Sequence, residues 1–190
     1  MIFEMDSTTF AHRLEKLVAK LRDFPGAAPS LDLFGLDVDA FRAMAPVAPP
    51  NVPYARHLLR STSEVEVALA RWTPGIACAP HDHGVSNGWI YCLSGRLRET
   101  EYAWTGDSLV EIDEHVRKAG ETCAVRADEI HTCVAEGETM TLHVYFPRSE
   151  SVRLFDTTGR RTLTVVGEVG AWFPVAPERI SESQPWPRSR

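Results

Sequence analysis

Apolar residues recur at helical spacing in one long stretch of the chain. In "DSTTFAHRLEKLVAKLRD", Phe10, Leu14, Leu17, Val18 and Leu21 share one face, which predicts an amphipathic helix capped by Asp6 or Ser7. "FPGAAPS" breaks it, and a second short helix is expected after Asp37, through "VDAFRAMA". The proline-rich "PVAPPNVP" then ends helical character. Beyond Pro53 the period shortens toward two. "EVEVALARW", "SNGWIYCLSG", "RLRETEYAW", "ETCAVRA", "HTCVAEG", "MTLHVYFP", "VRLFD" and "TLTVVGEVG" are short, β-prone and separated by turn residues. Many short strands at this spacing predict a mainly β sandwich or barrel. "DTTGRR" reads as a hairpin turn, and "AWFPVAPERISESQPWPRSR" as a charged tail that lies on the surface or frays. The expected organisation is a single domain: N-terminal helices over 1–48 packing on a barrel over 49–170, then a proline-rich tail over 171–190.

Composition narrows the function classes. With 190 residues, 44% of them hydrophobic, the chain can bury a core without metal or disulfide staples. The formal charge is −6 and no Lys/Arg block stands out, which argues against a nucleic-acid or membrane-surface partner. "MIFEMDSTTF" lacks the basic-then-apolar order of a secretory signal, and no stretch approaches membrane-span length. The four cysteines, Cys78, Cys92, Cys123 and Cys133, form no CxxC pair and read as free thiols of a cytoplasmic protein. Nothing in the sequence speaks to oligomeric state.

Candidate chemistry begins at "PGIACAPHDHGVSNGWIYCLSG". Strand side chains alternate faces, so "HDH" aims His81 and His83 at one spot and Asp82 away. Alone, such a pair is more often two half-buried histidines than a site. Its surroundings change that weighing. Gly75 precedes His81 by five intervening residues, Gly88 and Gly95 follow, and Gly120 precedes His131 by ten. This register resembles the two motifs of the cupin superfamily, small β-barrels with a metal inside. The usual glutamate of the first motif is replaced by Gly88, and Arg126 and Asp128 stand where the second motif commonly has proline and glycine. The metal set is then His81, His83 and His131, three neutral ligands suited to a transition metal with open positions. A fourth ligand from Cys78 or Cys133 is conceivable, and strand parity favours Cys133.

"MTLHVYFP" adds Thr141, His143 and Tyr145 on one strand face, a hydrogen-bond relay in prospect. With "YARH", "ALARW", "HDHGVSNGW", "EIHTCV" and "TLHVY" in that order, residues 50 to 160 resemble the cysteine dioxygenase family of thiol dioxygenases. The resemblance implies a cupin barrel binding iron, as Fe(2+), through His81, His83 and His131. It implies Tyr145 and His143 as catalytic residues, with Thr141 behind them. It further implies Arg56 holding a substrate carboxylate, and Tyr54 and Trp72 on the pocket wall. The expected reaction adds both atoms of O2 to the sulfur of a small carboxylate-bearing thiol, L-cysteine above others, giving a sulfinate.

Departures from the family pattern bear on details. Animal members carry a cysteine at the Gly88 position, joined to the tyrosine; Gly88 excludes that crosslink here. Thr141 replaces a serine, and "FPR" replaces Ser-Pro-Pro after Tyr145, which makes Arg148 a second candidate carboxylate anchor. Other thiols such as 3-mercaptopropionate, a non-catalytic metal-binding cupin, and a cupin enzyme acting on a non-thiol stay open as alternatives.

Overall fold

The helical period at the N-terminus becomes α1 (Ser7–Leu21) in the computed structural model, which describes residues 7–22, 26–167 and 170–187. Of the expected caps, Asp6 lies outside the described residues, as do Phe24 and Pro25 of the break and Glu168 and Val169 near the barrel's end. Leu14, Leu17, Val18 and Leu21 are all buried, as their spacing requires. A single 3-10 turn (Leu31–Phe34) leads to α2 (Val38–Met44), whose cap is the side chain of Asp37, accepting from the Asp39 N–H at 3.0 Å. Phe41 of α2 meets Phe10 of α1 edge-on at 5.3 Å.

These helices cover a five-stranded antiparallel sheet. Its strands are β1 (Tyr54–Ser61), β2 (Glu66–Trp72), β3 (Asn87–Ser94), β6 (Thr122–Val125) and β8 (Thr139–Phe146), in the order β1-β2-β8-β3-β6. The pleat sorts the residues. Val67, Leu69, Trp89, Tyr91, Leu93, Met140, Leu142 and Val144 pack outward with the helices in one apolar cluster. The alternate positions, including Ala70 and Trp72, face the interior, where a second cluster fills the space between layers. Tyr91 ties the linker down by donating to the Pro29 carbonyl at 3.0 Å.

The opposite layer has two three-stranded pieces. One orders β4 (Arg96–Trp104), β5 (Leu109–Lys118) and β7 (Ile130–Ala135) as β5-β4-β7; the other orders β9 (Ser151–Asp156), β10 (Arg161–Val166) and β11 (Ile180–Pro185) as β11-β10-β9. The peptide from Cys78 to His83 joins them. His81 bridges to His131 of β7 on one side and to Leu154 of β9 on the other. Asp82 donates its N–H to Arg153 O at 3.1 Å, and Phe155 donates to Pro80 O at 2.9 Å. Two sheets closed on each other, with helices outside one of them, form the sandwich or barrel anticipated from the strand pattern, in the cupin form that the histidine motifs resemble.

Three strands were not anticipated. β1 follows a proline connector that masks its start. β5 alternates Val110, Ile112 and Val116 with Glu111, Asp113, His115 and Arg117, but it is rich in charge and largely exposed, Val110 and Ile112 included. Within residues 171–190, read as a tail that lies on the surface or frays, β11 lies at the surface as an ordered strand: Ile180–Pro185 pairs with β10, and Trp186 is buried, its indole N–H donating to Thr162 Oγ1 at 2.8 Å.

Asp82 is fully buried. It accepts from the Gly84 N–H at 3.1 Å, the Arg153 N–H at 3.2 Å and the Arg153 guanidinium at 2.5 Å. Removing these acceptors in Asp82→Ala should cost about 1–3 kcal/mol of stability, read from urea unfolding.

Candidate metal centre

His81 and His131 exchange both backbone hydrogen bonds, each 2.9 Å, so their side chains stand side by side on one face. Their rings lie 4.7 Å apart, and His83 lies 5.1 Å from each. All three are buried, and one ring nitrogen from each falls within 4.8 Å of the others.

Outer partners set the tautomers. His81 Nδ1 is 2.9 Å from the Ala79 carbonyl and His131 Nδ1 is 2.6 Å from Glu99 Oε1. Both partners only accept, so each Nδ1 carries a proton and each Nε2 turns inward. His83 Nε2 is 3.0 Å from His131 Nε2. Carbonyl and carboxylate partners of this kind orient imidazoles toward a cation. The donor set therefore fits a transition metal held by three neutral nitrogens. Of the conceivable fourth ligands, Cys133 lines the cavity. Cys78 sits behind His81, its Sγ 3.9 Å from the outward-turned Nδ1.

Electrostatics separates the histidines. Burial and the neighbouring imidazoles hold His83 well below the ordinary histidine range. Burial also works against the charged form of His131, but the Glu99 carboxylate outweighs it and raises His131. Burial opposes ionisation of Glu99 as well, yet His131 and Arg117 together bring it down to about 2. Glu99 was not singled out in the sequence. Its one signal was an acid at an inward position of "RLRETEYAW", two residues after buried Leu97.

The relay is present along β8. The Trp72 indole N–H donates to Thr141 Oγ1 at 2.9 Å, Thr141 Oγ1 is 2.7 Å from His143 Nε2, and His143 Nδ1 is 2.9 Å from the Tyr145 hydroxyl. Burial, then Arg56, depresses His143 to about 3, so the imidazole is neutral with one N–H. Among the described residues, Thr141 finds an acceptor for its proton at His143 Nε2. His143 then donates from Nδ1 to the Tyr145 oxygen, and the phenol proton is free for the cavity. Burial pushes Tyr145 well above its usual range, keeping it a phenol. Its ring stacks on His83 at 4.9 Å. Gly88 makes room for that ring: a Cβ there would fall 2.2 Å from the Val144 carbonyl oxygen and 2.7 Å from Tyr145 Cδ1.

Arg56, Tyr54 and Trp72 line the same cavity as the three histidines, His143 and Tyr145. Arg56 also lines an outer depression with His57, Trp172 and Arg179, so it stands between that depression and the cavity. It is not a free cation, being ion-paired with buried Glu66, a cavity residue missed in the sequence. Tyr54 accepts from the Ala171 N–H at 2.9 Å and packs 4.7 Å from Trp72. Arg148 does not join the cavity; it pairs with Glu150 at 3.5 Å near the surface.

A family model described as Cysteine dioxygenase type I matches residues 42–158. Cysteine dioxygenase type 1 of Homo sapiens is 28% identical over 136 residues, 65% of this chain and 68% of that one. The protein of the same name from Bos taurus is 25% identical over 123 residues, 60% of this chain and 61% of that one. Among solved structures, a conserved protein with a double-stranded β-helix domain from Klebsiella pneumoniae aligns with 22% identity and a TM-score of 0.43. That alignment covers 63% of this chain and 94% of that one.

Two outcomes are expected at this site. Because Glu99 falls from an ordinary 4.5 to about 2 on folding, its stabilisation is complete above pH 4.5 and is lost as pH falls toward 2. His131, raised from 6.5, contributes below that value and loses its share as pH rises past its folded value. In Glu99→Gln, urea unfolding of metal-free protein should show a flatter dependence of stability on pH between about 4.5 and 2. Gly88→Ala should cost about 1–3 kcal/mol by overpacking, with the Tyr145 ring displaced from His83 in a crystal structure.

Proposed function

We propose a function from one premise: the chain belongs to the cysteine dioxygenase type I family. It is an iron-dependent enzyme, using Fe(2+), that adds both atoms of O2 to the sulfur of a small carboxylate-bearing thiol, L-cysteine first among them. One observation carries this reading: three buried imidazoles, with no carboxylate among them, share a cavity with a guanidinium and a phenol.

His81, His83 and His131 would hold the iron, which supplies a centre where thiolate and dioxygen meet. The remaining steps belong to this chain's own groups. Arg56 has N–H groups beyond the one given to Glu66 and binds the thiol's carboxylate by charge-assisted hydrogen bonds. Tyr145 points its phenol proton at the reacting atoms, held by His143, Thr141 and the Trp72 indole behind them. Trp72, Ile90, Val152 and Ala171 exclude water from the wall. The overall change is R–S⁻ + O2 → R–SO2⁻, in which sulfur is oxidised, dioxygen is reduced and no further reductant is needed. A cytoplasmic location is part of the reading, supported by four cysteines that remain free thiols. No helix among the described residues is long and apolar enough to cross a membrane.

Iron-loaded protein should consume one O2 per sulfinate formed when offered L-cysteine, followed with an oxygen electrode and mass spectrometry. His131→Ala should lose the metal itself, by elemental analysis. Uptake with 3-mercaptopropionate in preference to cysteine would move the substrate within the family. Metal retention with no uptake on any thiol would leave a metal-binding barrel and sink the dioxygenase reading.

A further inference from the structure

We propose that Cys78 and Cys133 form a redox-active dithiol: a hydroperoxide entering the metal cavity oxidises Cys133, and Cys78 closes the pair into a disulfide that thiols reopen. This chemistry is separate from the proposed reaction and needs no metal.

Of the four free cysteines, Cys78 and Cys133 are drawn together by the bonds that seat the histidine segment. Cys78 donates its N–H to the Cys133 carbonyl at 2.9 Å. Cross-strand neighbours joined in this way have Cα atoms about 5.5 Å apart, inside the roughly 4.4–6.8 Å that a disulfide spans. The return bond departs from a regular ladder. The Cys133 N–H donates at 3.1 Å to Cys78 Sγ, where a ladder would offer it a carbonyl oxygen. The Cys78 carbonyl accepts instead from the Thr132 hydroxyl. The Cys78 sulfur therefore lies against the backbone of Cys133, and the two thiols hydrogen-bond to each other. Side-chain rotation suffices to join them, with no movement of either segment.

Their settings differ in the way a two-step oxidation requires. Cys133 lines the cavity and Cys78 does not. Cys133 stands two residues after His131 on β7, so it shares that histidine's face. A small oxidant that reaches the histidines also reaches this sulfur. Cys133 Sγ attacks one oxygen of the hydroperoxide R–OOH. The O–O bond breaks, the thiol proton leaves with the departing oxygen as R–OH, and Cys133 becomes a sulfenic acid. Cys78 Sγ then attacks the Cys133 sulfur. The S–O bond breaks, and the hydroxyl leaves with the Cys78 proton as water. Two thiols and R–OOH thus give one disulfide, R–OH and water, and the two electrons lost by sulfur reduce the peroxide bond. Closure by Cys78 also spares the sulfenic acid from irreversible oxidation. Cys92 and Cys123 do not line the cavity, and Cys92 Sγ is turned to the carbonyls of Ser94, Gly95 and Arg117.

A bland alternative is a pair of core thiols that pack and do not react, the common fate of buried cysteines. Treating reduced, metal-free protein with one equivalent of hydrogen peroxide under native conditions separates the two. Intact mass should fall by two hydrogens, and thiols titrated after denaturation should drop from four to two. Peptide mapping should place the link between Cys78 and Cys133, and dithiothreitol should restore all four thiols. In Cys78→Ser, the same treatment should leave Cys133 as a sulfenic acid that takes a dimedone label. In Cys133→Ser, Cys78 should stay a thiol, since its sulfur does not face the cavity. If thermal melts show that either variant fails to fold, the mapping of unmutated protein decides the matter. Four thiols surviving the peroxide, oxygen added to Cys133 without a link, or a link confined to Cys92 and Cys123 would overturn the proposal. So would dimedone labelling of Cys78 in Cys133→Ser as strong as that of Cys133 in Cys78→Ser, because the oxidant would then arrive by another way.

Discussion

Strands β7 and β9 are not paired with each other; the peptide from Cys78 to His83 lies between them and bonds to both. Cys78 donates its N–H to Cys133 O and His81 to His131 O on one edge, each at 2.9 Å. On the other edge Asp82 donates to Arg153 O and Phe155 to Pro80 O. The same short segment therefore closes the second layer of the barrel and carries two of the three converging histidines. A buried backbone must find partners for its polar groups, and this one finds them only in this register. The separation of His81 from His131 follows from that register, because directly opposed residues of an antiparallel pair share a face. Closure of the layer and the placing of His81 beside His131 rest on the same backbone bonds.

The other layer solves a different problem. A sheet with chemistry on its inner face still needs an apolar reason to exist, and here the outer face supplies it. On β8, Met140, Leu142 and Val144 lie against the helices, while Thr141, His143 and Tyr145 face the cavity. The helices contribute no residue to the cavity lining, yet they cover the outer face of the strands that present the relay. Hydrophobic burial on one side thus stabilises a row of polar groups on the other, which would be costly on a sheet with no second cover.

What could be read in the chain, and what could not, divides along the same line. Local patterns sufficed where the signal was local: helical spacing in α1, the short helix after Asp37, the HxH spacing, and the alternate positions of "MTLHVYFP". β5 and β11 escaped because most of their side chains stay exposed, so pairing with a neighbour rather than burial makes them strands. Glu66 and Glu99 escaped for the opposite reason. A single acid in an alternating strand looks like a residue on a solvated face, and only the fold reveals that each is buried beside an arginine. Arg148 was drawn toward the cavity by its nearness in sequence to Tyr145, although its guanidinium pairs with Glu150 near the surface.

Those two buried acids differ in how fully the protein itself satisfies them. Glu99 is enclosed: His131 Nδ1 is 2.6 Å from one oxygen, and Arg117 donates to the other at 3.3 Å. Both oxygens are committed to protein groups, and the consequence is a carboxyl held near 2 whose task is to keep an imidazole in place. Glu66 is just as buried, but one oxygen serves one guanidinium and the other meets the cavity. A buried carboxylate left partly unsatisfied is expensive, and it persists where something else completes its shell.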